Sequence, residues 1–510
     1  MKIIAAIFIS LCLIGIAAVH ELSDMNHLDA NIPKTAPEKY VKISDNRFTI
    51  GDSLFYPMVI NFPVTLRAGD SYMWPAVYNG YLPNHTYSSD IPDSNMNELR
   101  AHFQLIRDMG YNSVRLVGIA EPEVIDRNTG RICFKVDRPN NEGVSLFLKS
   151  EKDYRLYFDA IETLLRIMDE CGLKAILTTK VFRESPQTEA FLARLTRRLS
   201  EQTSILAFDF FNEPLYFDSL DRKDKSDVYY ITKRWQQIAK HNSPHHLTTI
   251  GLACQREIFE WDPNLMNVDF ISFHPYEYEP DQVRNELYWY NRFVDKPWII
   301  GETGIPADND SIPYQKQVDF ALKTLRQNLN CGGMGYSWWQ FKDVDWGSFH
   351  QNHLGVVNTK GFTFNSLGEK VHGTPKPVNT VIRQFDALQR KGTCDCPPNY
   401  YNFGAHRSFR LSGRLTDEDD RPLEGAGILA WDEWWINHHF TTTKADGTFE
   451  LYSEYPFYHW MVSGTRHEMI RKDCEPDKAI RTRDGIPTID LGTIPLRRLN
   501  IPGLFKSDNI

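Results

Sequence analysis

Apolar residues along this chain follow two rhythms. Short β-rich runs occupy 56–62, 113–117, 174–179, 205–211, 247–253, 268–274, 297–301 and 333–339. Between them, at 96–109, 153–170, 189–200, 228–240, 282–293 and 315–328, apolar residues recur three and four apart, the spacing of one helix face. The piece between the fifth and sixth runs, 256–266, is the shortest. Strand, helix, strand repetition implies a parallel sheet, and eight such units in about 350 residues can close into a (β/α)8 TIM barrel. An open doubly wound sheet is the alternative. Such a sheet leads one to expect a glycine-rich phosphate turn after the first strand, and Asn61-Phe62-Pro63-Val64 is not one. A hairpin at 46–55, turning at Gly51-Asp52, would plug the bottom of a barrel.

Near Lys391 the rhythm changes. Gly392, Cys394, Cys396, Pro397, Pro398 and Asn399 mark a linker, and from Ser408 short alternating strands at 409–415, 427–431, 440–443 and 448–452 replace helices. That pattern predicts a smaller C-terminal all-β sandwich. The expected division is a leader at 1–19, a linker at 20–40, an α/β barrel at 41–391, a second linker at 392–407 and the sandwich at 408–500.

Composition narrows the function. With 42% hydrophobic residues among 510, a mostly disordered chain is excluded. The net charge of −9, with no long Lys/Arg run, gives no footprint for nucleic acid. The apolar segment Ile3 to Val19 follows Lys2 and ends in the small residues Ala17-Ala18, which reads as an export signal. The protein is thus expected to be secreted, periplasmic or cell-surface, with membrane contact only if this segment stays uncleaved. Cys12 follows Leu11, which argues against lipoprotein processing. The other cysteines, at 133, 171, 254, 331, 394, 396 and 474, are too sparse for a disulfide framework and allow one bridge at most. No metal site is expected: Cys394-Asp395-Cys396 lacks a second pair, and the doublets His245-His246 and His438-His439 point to opposite faces of a strand. Asp417 to Asp420 reads as a solvated turn, because its spacing is wrong for a calcium loop.

Candidate chemistry sits at strand ends. The fourth run ends Asn212-Glu213-Pro214 and the seventh ends Gly301-Glu302-Thr303-Gly304. On a barrel, both glutamates project from the same rim and can face each other. Two carboxyl groups about 5 Å apart divide their roles, one staying ionised while the other holds a proton, as glycoside hydrolysis with retention requires. Arg115 in the second run would keep a carboxylate ionised, and alternation places Ser272, His274 and Tyr276 on one side, with Tyr276 able to bond the nucleophile. Asn212 could hold a sugar hydroxyl, and Trp338 or Trp339 could floor a sugar. The first inter-element loop carries Tyr72, Trp74, Tyr78, Tyr81 and Tyr87, for which packing is favoured over sugar stacking.

Together these residues resemble the clan A glycoside hydrolases, and family 5, the cellulase and mannanase family, is the best match, with families 2 and 39 open. The resemblance covers about residues 43 to 390. It implies a retaining double displacement without metal or other cofactor, Glu213 as acid/base and Glu302 as nucleophile. It also implies that Arg115 and Tyr276 flank the nucleophile, that His274 lines the site and that Trp339 is the sugar platform. There is one departure: family 5 carries a His at the end of the third strand, where this chain has Leu177-Thr178-Thr179-Lys180. The stretch 411–449 resembles the carboxypeptidase regulatory-like, transthyretin-type sandwich, which implies a non-catalytic module. For its residues Trp431, Trp434, Trp435 and Trp460, packing is favoured over a glycan-binding face. The expected activity is hydrolysis of a β-linked poly- or oligosaccharide, of glucan or mannan type. The alternatives are a carbohydrate-binding protein on a barrel that has lost catalysis, and a transglycosylase.

Overall fold

A computed structural model describes residues 34–126, 131–139, 141–182, 185–214, 224–276, 280–387, 392–401 and 407–502. The expected leader at 1–19 lies outside the described residues. Eight parallel strands form where the β-rich runs fall: β1 (Met58–Ala68), β2 (Ser113–Ala120), β3 (Lys174–Thr179), β4 (Ile205–Asn212), β5 (Leu247–Leu252), β6 (Ile271–Phe273), β7 (Trp298–Ile300) and β8 (Tyr336–Trp338). Helices follow them in turn: α1 (Pro92–Asp108), α2 (Glu151–Glu170), α3 (Pro186–Arg198), α4 (Lys225–Asn242), α5 (Gln255–Trp261), α6 (Pro280–Phe293), α7 (Tyr314–Asn330) and α8 (Val378–Gln384). Helices α1 and α3 begin a few residues before their first apolar position because Pro92 and Pro186 occupy the first turn, where a missing N–H is harmless.

From β1 to β7 each strand pairs with the next in sequence, and β8 pairs with β1. The seam between β7 and β8 carries no ladder; it is spanned by Met334 N–H to Trp298 C=O at 2.9 Å and Ile300 N–H to Gly335 C=O at 3.2 Å. One apolar layer fills the sheet interior at the amino ends of the strands, with Val59, Ile176, Ala207, Leu247, Phe270, Ile299 and Met334. The predicted hairpin arrives as a three-stranded sheet, Val41–Ser44, Arg47–Ile50 and Ser53–Phe55. Its Val41 and Phe48 close that layer from below, Phe48 lying edge-on to Phe270 at 5.3 Å.

Further along the strands the buried residues turn polar, with Asn61, Arg115, Thr178, Asp209, Thr249, Ser272 and Ser337; register pairs Asn61 with Arg115, Thr178 with Asp209 and Asp209 with Thr249. Apolar side chains below and polar ones above fix which end of the sheet faces the cleft. The loop after β2 carries the strands Glu123–Asp126, Arg131–Arg138 and Asn141–Leu146.

The C-terminal region has two four-stranded sheets. Phe409–Thr416 lies between Thr448–Ser453 and Pro487–Pro495, with Ile480–Arg481 at the edge; Gly427–Trp431 lies between His438–Thr442 and His459–Ser463, with Met469–Asp473 at the edge. Leu411, Leu415, Phe449 and Leu451 from the first meet Ile428, Trp460 and Val462 from the second in one apolar cluster. This unit docks on α4, α5 and α6: Trp289 Nε1 donates to Gly425 C=O at 2.9 Å, Ser463 Oγ to Phe259 C=O at 2.7 Å and Lys225 Nζ to Gly464 C=O at 2.7 Å. The linker is stapled to the end of α7 by one disulfide, Cys331–Cys394. Among the described residues no helix is long and apolar enough to cross a membrane.

Candidate active site

At the carboxyl end of the sheet the polar layer opens into a cluster built on Arg115. Its guanidinium is fully buried and every arm is engaged: Nε donates to Asp209 Oδ2 at 2.9 Å, Nη2 to Asn212 Oδ1 at 2.7 Å, and Nη1 to Asn61 Oδ1 at 3.1 Å and Glu302 Oε1 at 2.5 Å. Asn61 is itself fixed, its Nδ2 donating to Gly301 C=O, Ser337 Oγ and Trp338 C=O. A buried cation is tolerated only when paired and hydrogen-bonded, and here two carboxylates share it.

Glu302 follows β7. Its second oxygen, Oε2, accepts the Tyr276 hydroxyl at 2.6 Å. Burial and the neighbouring Glu302 charge push the Tyr276 phenol well above its ordinary value, so it stays protonated and donates. Glu213 follows β4, and its backbone takes a left-handed φ of 54°, which costs a non-glycine residue on the order of 1 kcal/mol. Its N–H is held by Gly251 C=O at 2.9 Å. Glu213 Oε1 lies 3.0 Å from His274 Nδ1, and that same nitrogen lies 3.8 Å from Glu302 Oε1.

The imidazole reaches this position because two neighbours lack side chains. A methyl group on Gly251 would stand 2.7 Å from His274 Nε2, and one on Gly301 would stand 3.0 Å from it and 1.7 Å from Ser272 Oγ. Burial lowers His274 to about 4, so it is neutral at neutral pH.

Carboxylate oxygens of Glu213 and Glu302 and a nitrogen of His274 lie within 4.8 Å of one another. Burial raises both carboxyls, and the opposition differs. Glu213 rises to about 7, with Arg115 the opposing charge. Glu302 is also raised by burial, opposed by His274, Arg115 and the Tyr276 hydrogen bond. With His274 neutral, a single negative charge shared by the pair falls on Glu302, where two donors meet it. The proton falls on Glu213, which has no cationic partner at hydrogen-bond distance.

Among the described residues this trio is the one group of His, Cys, Asp and Glu that could hold a metal ion. The donor set does not suit a cation. Both oxygens of Glu302 already accept hydrogen bonds, one of them from a guanidinium that would stand beside the ion.

The structure thus brings together Arg115, Asn212, Glu213, His274, Tyr276 and Glu302. Because a guanidinium only donates, Asn212 turns its oxygen to Arg115 and its NH2 group away from it. Trp338 is corrected: it is buried, its Nε1 donates to Leu354 C=O at 2.8 Å and it meets Phe320 edge-on, so it does not face the cleft. Trp339, half-buried, remains at the rim. Of the loop aromatics, Trp74 and Tyr81 are buried packing residues, while Tyr72 is exposed and stacks on Trp74. In the C-terminal unit Trp431 and Trp460 are buried and Trp434 is 73% exposed.

Asp209, Asn61 and Thr249 are additions that the sequence reading missed. Asp209 carried a signal: it is the lone charge inside the apolar run Ile205 to Phe211, and a buried arginine nearby demands a counter-ion.

No family model matches this sequence, and no curated protein matches it. Its structural neighbours are glycoside hydrolases. A β-glucuronidase of Bacteroides uniformis superposes with a TM-score of 0.43 at 13% identity, covering 89% of this chain and 48% of that one. A family 5 mannosidase of Rhizomucor miehei gives 0.43 at 13% identity, covering 68% and 97%. A GH5_18 protein of Streptomyces cattleya, in complex with GlcNAc, gives 0.44 at 14% identity, covering 72% and 85%. The chain spans about half the length of the β-glucuronidases it resembles. At such values the neighbours bear no argument, and the functional reading rests on the geometry of the site.

Proposed function

We propose that this protein is a retaining β-glycosidase whose eight-stranded sheet works as a (β/α)8 barrel, the β7–β8 seam being carried by single hydrogen bonds. One observation carries the reading: a half-buried and a buried carboxyl group approach within 4.8 Å, and only the buried one is held by a guanidinium and a phenol. That separation suits the retaining arrangement, about 5–5.5 Å, and leaves no room for the intervening water of an inverting enzyme.

Glu302 attacks the anomeric carbon while the glycosidic C–O bond breaks, and Glu213 gives its proton to the departing oxygen. Water then enters and attacks the anomeric carbon as Glu213 takes a proton from it, and the glycosyl–Glu302 bond breaks with net retention. Arg115 and Tyr276 hold the nucleophile ionised and aimed, so the chemistry calls on no cofactor. The outward NH2 of Asn212 is placed to bond a sugar hydroxyl, and Trp339 to stack on a sugar face.

A β-linked glucan or mannan is the substrate we favour. The N-terminal apolar segment supports export, and the C-terminal unit is read as a non-catalytic, transthyretin-type module. The test is incubation with an activated 2-deoxy-2-fluoro-β-glycoside panel, read by mass spectrometry. Covalent labelling of Glu302 with release of one leaving group per chain is expected. Tight glycan binding with neither labelling nor cleavage would instead identify a binding protein.

A further inference from the structure

The contact between Glu213 and His274 leaves one question of proton placement. At 3.0 Å either partner can supply the hydrogen: neutral imidazole carries it on Nδ1 or on Nε2. The answer lies in the layer below the site. Three buried polar atoms there have no partner within the protein: His274 Nε2, Asp209 Oδ1 and Thr249 Oγ1. All three residues are at most 1% exposed.

Register sets two of the three residues side by side. Asp209 and Thr249 are direct cross-strand partners on β4 and β5. Gly251 stands two residues beyond Thr249 on the same face of β5, and the His274 ring lies against it, 2.7 Å from where a Cβ would be. Arg115 Nη2 is 3.3 Å from that same point, so the ring sits above the Arg115–Asp209 pair. Asp209 spends only Oδ2 on the guanidinium, which leaves Oδ1 as an anionic acceptor turned to the same interior.

We propose that an interior water bridges His274 Nε2 to Asp209 Oδ1 and Thr249 Oγ1, locking His274 in its Nε2–H form and thereby making Glu213 the partner that carries the proton. Such a water has the polar neighbours that buried water requires. Its oxygen is polarised by donating to an anionic carboxylate, so it accepts from Nε2–H better than it donates to a bare ring nitrogen. Nδ1 is then an acceptor only, and the hydrogen in the 3.0 Å contact belongs to Glu213. Thr249, which touches no reacting atom, becomes a positioning residue for the acid, as does the free oxygen of Asp209. The groups that face His274 are Glu213 at the end of β4, Glu302 at the end of β7, Arg115 on β2, Asp209 on β4 and, two residues along, Tyr276.

The role rests on reading Glu213 as the acid, but the tautomer can be measured without turnover. Nitrogen-15 spectra of the full chain labelled at histidine, with His274 assigned by its loss in His274→Gln, should show Nε2 protonated and Nδ1 bare. In Thr249→Val, which keeps the shape and removes the hydroxyl, the Nδ1–H form should gain population. A donor then faces Glu213, its anion is favoured, and the basic limb of kcat/KM should move down by about one pH unit. Thr249→Ser should restore both readings, which a purely structural role of the side chain would not require. Nδ1–H in the wild type, or a Thr249→Val protein with unchanged tautomer and unchanged limb, overturns the proposal. An Nε2–H wild type that cleaves no glycoside would uphold the tautomer assignment while removing the glycosidase reading.

Discussion

The interiors of the two units are opposites. The eight-stranded sheet buries Asn61, Arg115, Thr178, Asp209, Thr249, Ser272 and Ser337, whereas the C-terminal sheets enclose Leu411, Leu415, Ile428, Phe449, Leu451, Trp460 and Val462. Both are equally shut off from water, so the difference is one of purpose. An apolar interior needs only volume and pattern. A charged one needs every donor matched, and replacing it with apolar residues of similar volume is often neutral or stabilising. A chain that keeps a guanidinium between two carboxylates in its sheet interior keeps it for what it does to Glu302, since stability is more simply obtained the way the C-terminal unit obtains it.

The comparison is broken hardest by removing the carboxyls themselves. Glu302→Gln and Glu213→Gln should each lower kcat on an aryl β-glycoside with a poor leaving group by about 10²–10⁴-fold or more, while both variants melt no lower than the wild type. Melting curves beside the kinetics check it. A large drop in Tm with activity intact would mean that these groups hold the fold and nothing else.

Arg115→Met tests the polar layer as a unit. It leaves Asp209 and Glu302 buried without their shared cation, and breaking a buried pair in this way costs about 3–5 kcal/mol. Urea unfolding should show that loss. A double variant, Arg115→Met with Asp209→Leu, should recover part of it while activity stays lost, because the nucleophile is still unheld.

Leu411→Ala makes the matching cut in the apolar interior. Leu411 is fully buried, and such truncations cost about 2–5 kcal/mol. Here the whole loss should appear in unfolding and none in kcat/KM measured below the transition. A changed pH profile in this variant would tie the C-terminal unit to the cleft more closely than its docking on α4, α5 and α6 implies.

The same contrast explains what the sequence disclosed. The eight strands were legible because runs such as Lys174–Thr179 and Ile205–Asn212 are near-continuously apolar, as strands covered on both faces must be. Glu213, Glu302, Arg115, His274 and Tyr276 were legible because each sits at or near a strand end next to a local break in pattern. Asp209 and Thr249 sit mid-strand, where a polar residue gains meaning only once the register places it beside another. The neighbouring indoles of Trp338 and Trp339 could not be told apart without knowing which side faces α7. In the C-terminal unit, His459–Ser463 and Pro487–Pro495 escaped notice because histidine, proline and glycine interrupt their alternation. The partner of Cys394 depended on where α7 ends, which spacing alone does not give.

The smallest expected effect, and the one that sharpens the contrast most, is in the pH dependence of stability. Glu213 is raised to about 7 by burial, whereas an unfolded glutamate has the ordinary value of 4.5. Between those values the folded chain binds a proton that the unfolded chain has released, so this group's stabilising contribution is full below 4.5, declines as pH rises and is gone above about 7. The shift corresponds to about 3 kcal/mol at 1.36 kcal/mol per pKa unit. Glu213→Gln does not titrate there. The stability of the wild type minus that of this variant, measured by urea unfolding from pH 5 to pH 8, should therefore fall steadily and level off once Glu213 is ionised. The basic limb of kcat/KM in the wild type should share that midpoint, since the same proton is the one given to the leaving group. Coincidence of the two midpoints would tie the energetic penalty of the polar interior to its chemistry, and midpoints more than about one unit apart would separate them.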